Sequence, residues 1–148
     1  MGDFKFFKVV FALMILFFLY SCNKENNNEV FIELNKLSSE IYIKETDDLR
    51  RFFESKSIEE PEKYRITFEK IIAIENKIKD YKSLKTIANK KKFINEFKSL
   101  VEIEGAQFVC QKMDTKDLVL FNSVIENDLN RVLYKTYKKF YTYHHSVF

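Results

Sequence analysis

The chain has 148 residues, of which 25 are lysine or arginine and 22 are aspartate or glutamate, and its formal net charge is +3. This length suits a single domain with its own core. Only two glycines and one proline are present, which argues against a Gly-rich phosphate loop and against a β fold with many turns. The composition therefore favours helices. Of the 16 phenylalanines and 8 tyrosines in the chain, those beyond residue 21 are expected to supply most of the bulky core.

The first 22 residues have the layout of a secretory signal. Two lysines precede an apolar stretch over residues 9–20, and the small residue Ser21 stands before Cys22, which is the order of regions in an exported precursor. A 12-residue apolar helix spans only about 18 Å, short of the roughly 30 Å hydrocarbon core of a bilayer. A removable signal is therefore favoured. The alternative is an uncleaved anchor, since counting from Phe4 extends the run to about 17 residues if both lysines snorkel.

The tetrapeptide Leu19-Tyr20-Ser21-Cys22 resembles the lipobox of bacterial lipoproteins. In that motif a leucine-like residue stands three positions before the cysteine, and glycine, alanine or serine stands one position before it. Tyr20 takes the place of the usual small or β-branched residue, and the Asn- and Lys-rich segment 23–28 follows. Together these features resemble the lipoproteins of spirochaetes, especially the Lyme-type surface lipoproteins, and to a lesser degree those of Bacteroidetes. The resemblance covers residues 1–28.

The resemblance implies a membrane anchor. Cleavage between Ser21 and Cys22 would remove the signal, Cys22 would carry a thioether-linked diacylglycerol, and its new amino group would often be acylated, typically with palmitate. Two or three acyl chains hold a protein on a membrane durably, whereas one chain binds reversibly. The expected location is the bacterial outer membrane, with the cell surface favoured over the periplasmic face.

The chain is expected to have three parts. Residues 1–21 form the signal peptide, residues 22–28 form the lipidated cysteine with a flexible tether, and residues 29–148 form a single helical domain. If Cys22 carries lipid, Cys110 is a lone thiol, and a disulfide scaffold is excluded. Cys110 lies on an apolar face with helical spacing, which favours a buried residue over a redox or disulfide-forming thiol.

The first part of the domain is predicted to be helical, with an interruption. A break is expected at residues 44–46, although the alternation over residues 41–43 permits a short strand there. Thr46 or Asp47 can cap a second helical piece that ends near Ser55. The apolar positions of the first helix are Val30, Phe31, Leu34, Leu37 and Ile41.

The third helix is predicted from a start signal and a long apolar face. Ser57 and Glu60 have the spacing of a capping box, and proline is tolerated in a first turn. The helix is therefore expected to begin between Ser57 and Glu62. Its expected buried face consists of Tyr64, Phe68, Ile71, Ile74 and Ile78, widened by Ile72.

Two further helices complete the predicted fold. A fourth apolar pattern runs over residues 84–101, with a break or kink at Gly105. The last helix opens at residues 114–117, where one aspartate can act as the N-cap and the other favours the helix dipole. The sequence therefore predicts an all-α protein, an irregular bundle of four to six helices.

The sequence contains none of the common hydrolase, zinc-protease, dithiol or EF-hand motifs. His144 and His145 are adjacent, so on a helix they point about 100° apart and cannot hold one metal ion as an i, i+4 pair can. They are expected to lie in a solvated tail. Carboxylate pairs such as Asp47 and Asp48 occur in any charged helical protein. We therefore expect a protein that is not an enzyme and that uses no metal or cofactor.

The last helix carries a basic, tyrosine-rich face. Cations near a helix C-terminus are stabilised by about 0.3–1 kcal/mol, and tyrosines often bury the ring, so a structural role is the simpler interpretation. The functional alternative is contact with an acidic macromolecule, namely a sulfated glycan, an anionic lipid headgroup or an acidic protein patch. The candidate ligand-binding residues are Arg131, Lys135, Lys138, Lys139, Tyr134, Tyr137 and Tyr141.

A second positive cluster, Lys90-Lys91-Lys92, is expected to be a solvated face because three successive residues spread around a helix. Nucleic acid is chemically allowed as a partner but conflicts with the export signal. The leading hypothesis is therefore a surface-exposed lipoprotein that binds a macromolecular ligand, which could come from a host. The alternative is a periplasm-facing structural or accessory lipoprotein of the envelope.

Overall fold

The computed structural model describes residues 24–103 and 116–146. These residues form four α-helices and contain no strand, which confirms the predicted all-α bundle at the lower end of its expected helix number. No helix in these two ranges combines the length and the apolar content that a bilayer crossing needs. The helices are α1 (Lys24–Glu59), α2 (Pro61–Ser83), α3 (Ile87–Ile103) and α4 (Leu118–Ser146).

Helices α1 and α4 lie side by side and run in the same direction. Near their starts, Asn127 Nδ2 donates a hydrogen bond of 3.0 Å to Asn35 Oδ1. Further along both helices, the rings of Phe52 and Tyr141 pack with centroids 5.0 Å apart. Helix α2 returns antiparallel to α1 after a tight turn, and α3 packs against α2 and α4. Helix α4 therefore contacts each of the other three helices.

Two clusters of buried side chains form the core, and α4 contributes to both. One cluster joins α2, α3 and α4, and its buried members are Ile74, Ile78, Tyr81, Ile94, Phe97, Val101, Phe121, Ile125, Leu129 and Val132. The other joins α1, α2 and α4, and its buried members are Phe53, Tyr64, Ile71 and Tyr137. The predicted buried face of α2 is confirmed, with Phe68 and Ile72 only partly buried at its edges.

Helix α1 is continuous over 36 residues, so the predicted break at residues 44–46 and the strand at residues 41–43 are wrong. Thr46 lies inside the helix and is buried, and Phe53 is fully buried in the second cluster. Burial against neighbouring helices outweighs the weak helix propensity of the polar and β-branched residues in this region. Thr46 and Asp47 consequently cap no helix, and the predicted second piece is the C-terminal part of α1.

Both ends of α1 extend beyond the predicted limits. The helix begins at Lys24, so residues 24–28 are helical rather than a flexible tether. It ends at Glu59, four residues after the predicted end near Ser55. The capping box of Ser57 and Glu60 does not form, because Ser57 still lies inside α1, where its Oγ donates to a backbone carbonyl one turn earlier at 2.8 Å.

The other helix starts agree better with the sequence. Helix α2 begins at Pro61, within the predicted window. Asp117 Oδ1 accepts hydrogen bonds from the amides of Val119 and Leu120 at 2.9 and 3.1 Å, so Asp117 is the N-cap of α4. Helix α3 begins at Ile87, slightly later than predicted. Residues 114 and 115, Gly105 and Cys110 lie outside the described residues, as do Ser21 and Cys22.

The burial pattern of α2 predicts a large stability difference between two isoleucines of the same helix. Ile71 is fully buried, whereas Ile66 is 65% exposed. Ile71→Ala should lower the free energy of unfolding by about 2–5 kcal/mol because it leaves a cavity. Ile66→Ala should change it by less than about 0.5 kcal/mol. Urea unfolding monitored by circular dichroism measures both values, and equal losses would contradict the assigned packing of α2.

Candidate functional site

The basic face of α4 is narrower than the sequence suggests. Lys135, Lys138 and Lys139 are exposed. Arg131 is instead largely buried and forms an ion pair with the buried carboxylate of Asp128, one turn earlier, with its Nε 2.7 Å from Asp128 Oδ1. A guanidinium engaged in this way has less of its charge available to a ligand. The exposed cations of this face are therefore Lys135, Lys138 and Lys139.

Two of the three predicted tyrosines border the lysines. The ring of Tyr134 packs against Tyr42 of α1 with centroids 5.7 Å apart, and the Lys138 ammonium lies 5.7 Å from the Tyr134 ring centroid. Tyr141 stacks on His145 at 4.0 Å and contacts Phe52. Both rings are half-buried. They give the lysine face an aromatic border that is fixed to α1.

Tyr137 does not belong to the surface. Its side chain is fully buried, and its hydroxyl donates a hydrogen bond of 2.7 Å to Glu75 Oε1. Burial raises the pKa of Tyr137, and the hydrogen bond to Glu75 raises it further. The phenol is therefore a neutral donor to a buried carboxylate. Tyr137 holds α4 against α2 rather than facing a surface ligand.

A cavity of about 160 Å³, lined by both apolar and charged side chains, opens beside this hydrogen bond, between α1, α2 and α4. Arg50 Nε lies 3.5 Å from Glu75 Oε1, close enough for an ion pair. The hydroxyl of Thr46 is buried in the wall and has no hydrogen-bond partner among the described residues. The charged lining side chains are Asp47, Arg50, Glu75, Lys79 and Lys82. Because both signs of charge are present, the cavity is less suited to an acidic macromolecule than the lysine face.

The expectation that His144 is exposed to solvent is wrong. His144 is buried rather than part of a solvated tail, and its ring lies 4.4 Å from that of Tyr64 and 6.0 Å from that of Phe53. His144 Nε2 is 3.0 Å from the hydroxyl oxygen of Thr67. His145 points outward and is exposed. Burial lowers the pKa of His144, and the charges of Lys63 and His145 lower it further.

The prediction that Lys90, Lys91 and Lys92 are all exposed to solvent is wrong for Lys90. Lys91 and Lys92 are exposed, but Lys90 is buried, with its ammonium 4.2 Å from the centroid of the Tyr81 ring. Burial lowers the pKa of Lys90, while the charge of Glu126 opposes the change. The cation–π contact compensates part of the lost hydration. Lys90 therefore holds α3 against α2.

The spacing of the core residues could have identified two buried polar side chains. His144 lies seven residues after Tyr137 and four after Phe140, on the apolar line of α4. Glu75 falls four residues after Ile71 on the line of α2, also on its inner side. In both cases a polar residue type suggests a side chain exposed to solvent, whereas the helical period places that side chain on the buried side of its helix.

Comparison of the chain with known protein families, with curated proteins and with solved structures finds no match. In the two ranges that the structure describes, no group of three histidine, cysteine, aspartate or glutamate residues is placed to hold a metal ion. The surface that the described geometry offers for a ligand is the lysine face, formed by Lys135, Lys138 and Lys139 with Tyr134 and Tyr141 at its border. Its chemistry is charge attraction and aromatic contact.

The burial of His144 predicts a loss of stability in acid. Stability rises with pH wherever the unfolded state binds more protons than the folded state. Because the pKa of His144 is lowered on folding, its contribution is complete above the unfolded value of 6.5 and is lost as the pH falls below it. His144→Gln, which cannot titrate, should flatten the fall in unfolding free energy between about pH 7.5 and about pH 5.

His145→Gln is the matched control, because His145 is exposed and next in sequence. Urea unfolding at both pH values measures the slope for each protein. The control should keep the slope of the unmodified protein. A slope that is the same in all three proteins would show that His144 is not the titrating group.

Proposed function

We propose that the chain is a non-enzymatic lipoprotein, anchored to the outer membrane through lipid on Cys22, whose helical domain binds an acidic macromolecule. The resemblance of residues 19–22 to a lipobox supports the anchor. The lysine face of α4 supports the binding role, and it is the observation that carries the proposal.

The lysine face has the properties that charge-driven recognition needs. Its three lysines project from one side of a helix whose opposite side is fixed in both core clusters, so the backbone positions that carry them are held in advance of binding. Preorganisation lowers the entropic cost of association. Such a face attracts sulfated glycan or an acidic protein patch over about 8–10 Å at physiological salt. Binding should therefore weaken as salt is added.

The arrangement of α1 and α4 favours display of this face away from the anchor. The C-terminal end of α4 packs beside Phe52 of α1. The lysine face lies earlier on α4, where Tyr134 at its border packs against Tyr42 of α1. Tyr42 lies 18 residues after Lys24, a separation of about 27 Å along a helix that rises 1.5 Å per residue. The lysine face is therefore separated from the start of α1, which supports a binding surface distinct from the proposed anchor.

A second candidate is a structural or accessory lipoprotein that faces the periplasm. Helix α1 begins two residues after Cys22, so the domain follows the proposed anchor directly. This close attachment favours contact with the membrane or with a neighbouring envelope protein. Protease treatment of intact cells separates the two candidates. Cleavage of the domain before the envelope is broken supports the surface location, and survival until breakage supports the periplasmic one.

Charge reversal tests the binding role. Lys135→Glu, Lys138→Glu and Lys139→Glu combined should weaken heparin binding by about tenfold or more, because attraction becomes repulsion. The binding constant is measured with the full lipoprotein in detergent at two salt concentrations. The matched control combines Lys77→Glu, Lys91→Glu and Lys92→Glu, three exposed lysines on other helices. Equal losses in the two triple variants would remove the lysine face as the contact surface.

Substitution of the cysteine tests the anchor. Cys22→Ala should abolish metabolic labelling with a palmitate analogue, because the thiol that would carry the lipid is absent. Cys110→Ala should leave the labelling unchanged. Labelling that survives in the first variant, or that is lost in the second, would contradict acylation at Cys22.

A further inference from the structure

The N-terminal half of α1 exposes a row of large apolar side chains. Val30, Leu34, Leu37 and Ile41 follow one another at intervals of four, three and four residues, and Phe31 lies beside them. Each is between 49% and 62% exposed. Residues at these intervals share one face of a helix. We call these five residues the α1 stripe.

The α1 stripe is not the face that packs against the bundle. In the same part of α1, contacts with α4 come from Asn35, which bonds Asn127, from Ser39, whose hydroxyl donates to the same residue, and from Tyr42. Among residues 24–103 and 116–146, side chains cover the stripe only in part, as its exposure shows. The largest apolar patch of a soluble monomer commonly covers a few hundred Å² and is often functional. The stripe is therefore a candidate binding surface.

We propose that the α1 stripe lies on the lipid bilayer, at the interface between headgroups and acyl chains. The inference rests on the proposed anchoring at Cys22. The stripe begins six residues after Lys24, the first residue of α1, about 9 Å along the helix, and extends for about 17 Å more. Since α1 starts at Lys24, the chain that carries the anchor leads directly into the helix that carries the stripe. The proposed anchor therefore holds the stripe close to the bilayer, which is the apolar phase available to cover it.

The side chains around the stripe suit this position. A helix at the interface buries its apolar face by about 5–10 Å and keeps its charged face in water. Lys36, which falls on the opposite side of α1 from Leu34, is exposed.

A second copy of the chain is a poorer occupant. Five half-exposed side chains offer a few hundred Å² per copy, whereas a standard interface buries about 800 Å² per partner. Exposed Glu33 and Glu40 lie seven residues apart on one border of the stripe, so self-pairing would bring like charges together. The same acidic border gives no attraction to anionic lipid. Insertion should therefore depend on apolar contact and be insensitive to salt, unlike ligand binding by the lysine face.

Fluorescence quenching in bilayers tests the proposal. The full chain is produced in bacteria that acylate lipoproteins, with Cys110→Ser and either Leu34→Cys or Lys36→Cys, and the new thiol carries an environment-sensitive fluorophore. The protein is reconstituted into phosphatidylcholine vesicles that contain lipid with a nitroxide high on the acyl chain. Quenching at position 34 should be about threefold stronger than at position 36, because only the former inserts. The ratio should persist in high salt.

The alternatives give different results. Equal, weak quenching at both positions in acylated protein overturns the proposal, as does a ratio that falls when the protein is diluted, which would indicate a second copy on the stripe. Circular dichroism confirms that both labelled proteins are folded. Intact mass reports the acyl chains independently. Protein without acyl mass refutes the anchor, whereas acylated protein with equal quenching refutes the membrane position of the stripe alone.

Discussion

The burial of one side of α4, from its first half to its second, is the constraint on which the rest of the structure depends. Its first half supplies Phe121, Ile125 and Leu129 to the cluster shared with α2 and α3. Its second half supplies Tyr137 to the cluster shared with α1 and α2. One long helix thus joins two cores that otherwise share only α2. Because these contacts fix the inner side of α4, they also decide which of its polar side chains face water.

Polar residues on the inner side of α4 are kept there by specific partners. Tyr137 donates to Glu75, and His144 lies within hydrogen-bond distance of Thr67 and packs between aromatic rings. A buried polar group left without a partner costs about 1–3 kcal/mol, so each pairing also favours one alignment of α4 over its neighbours. The lysines on the outer side owe their common orientation to this alignment. The proposed ligand face is therefore a consequence of how the core is packed.

The sequence predicted the helical class and the apolar face of α2 because the periodicity of that face is long and regular. It failed where a local signal conflicted with burial. The interruption of the apolar pattern at residues 44–46 suggested a break, but Thr46 is buried in a continuous helix. His144 was expected in a solvated tail and Lys90 on a solvated face, although packing against Tyr64 and Tyr81 places them inside. An apolar stripe also indicates only that a face seeks an apolar neighbour, which can be protein or lipid.

Helices α1 and α4 run parallel, and the proposed tasks fall on two different surfaces of this helix pair. The N-terminal half of α1 follows the anchor and carries the apolar stripe, while the C-terminal half of α4 carries the lysines. Attachment to the membrane and ligand binding then use different surfaces and different forces. Apolar contact depends little on salt, whereas charge attraction is screened within about 8–10 Å.

Lysine footprinting of the unmodified lipoprotein in bilayers, with and without heparin, tests the central claim most directly. Acetylation of each lysine is measured by mass spectrometry. The account predicts that heparin protects Lys135, Lys138 and Lys139 and leaves the exposed lysines of α3, Lys91 and Lys92, as reactive as before. Protection of the α3 lysines instead, or of none, would contradict it.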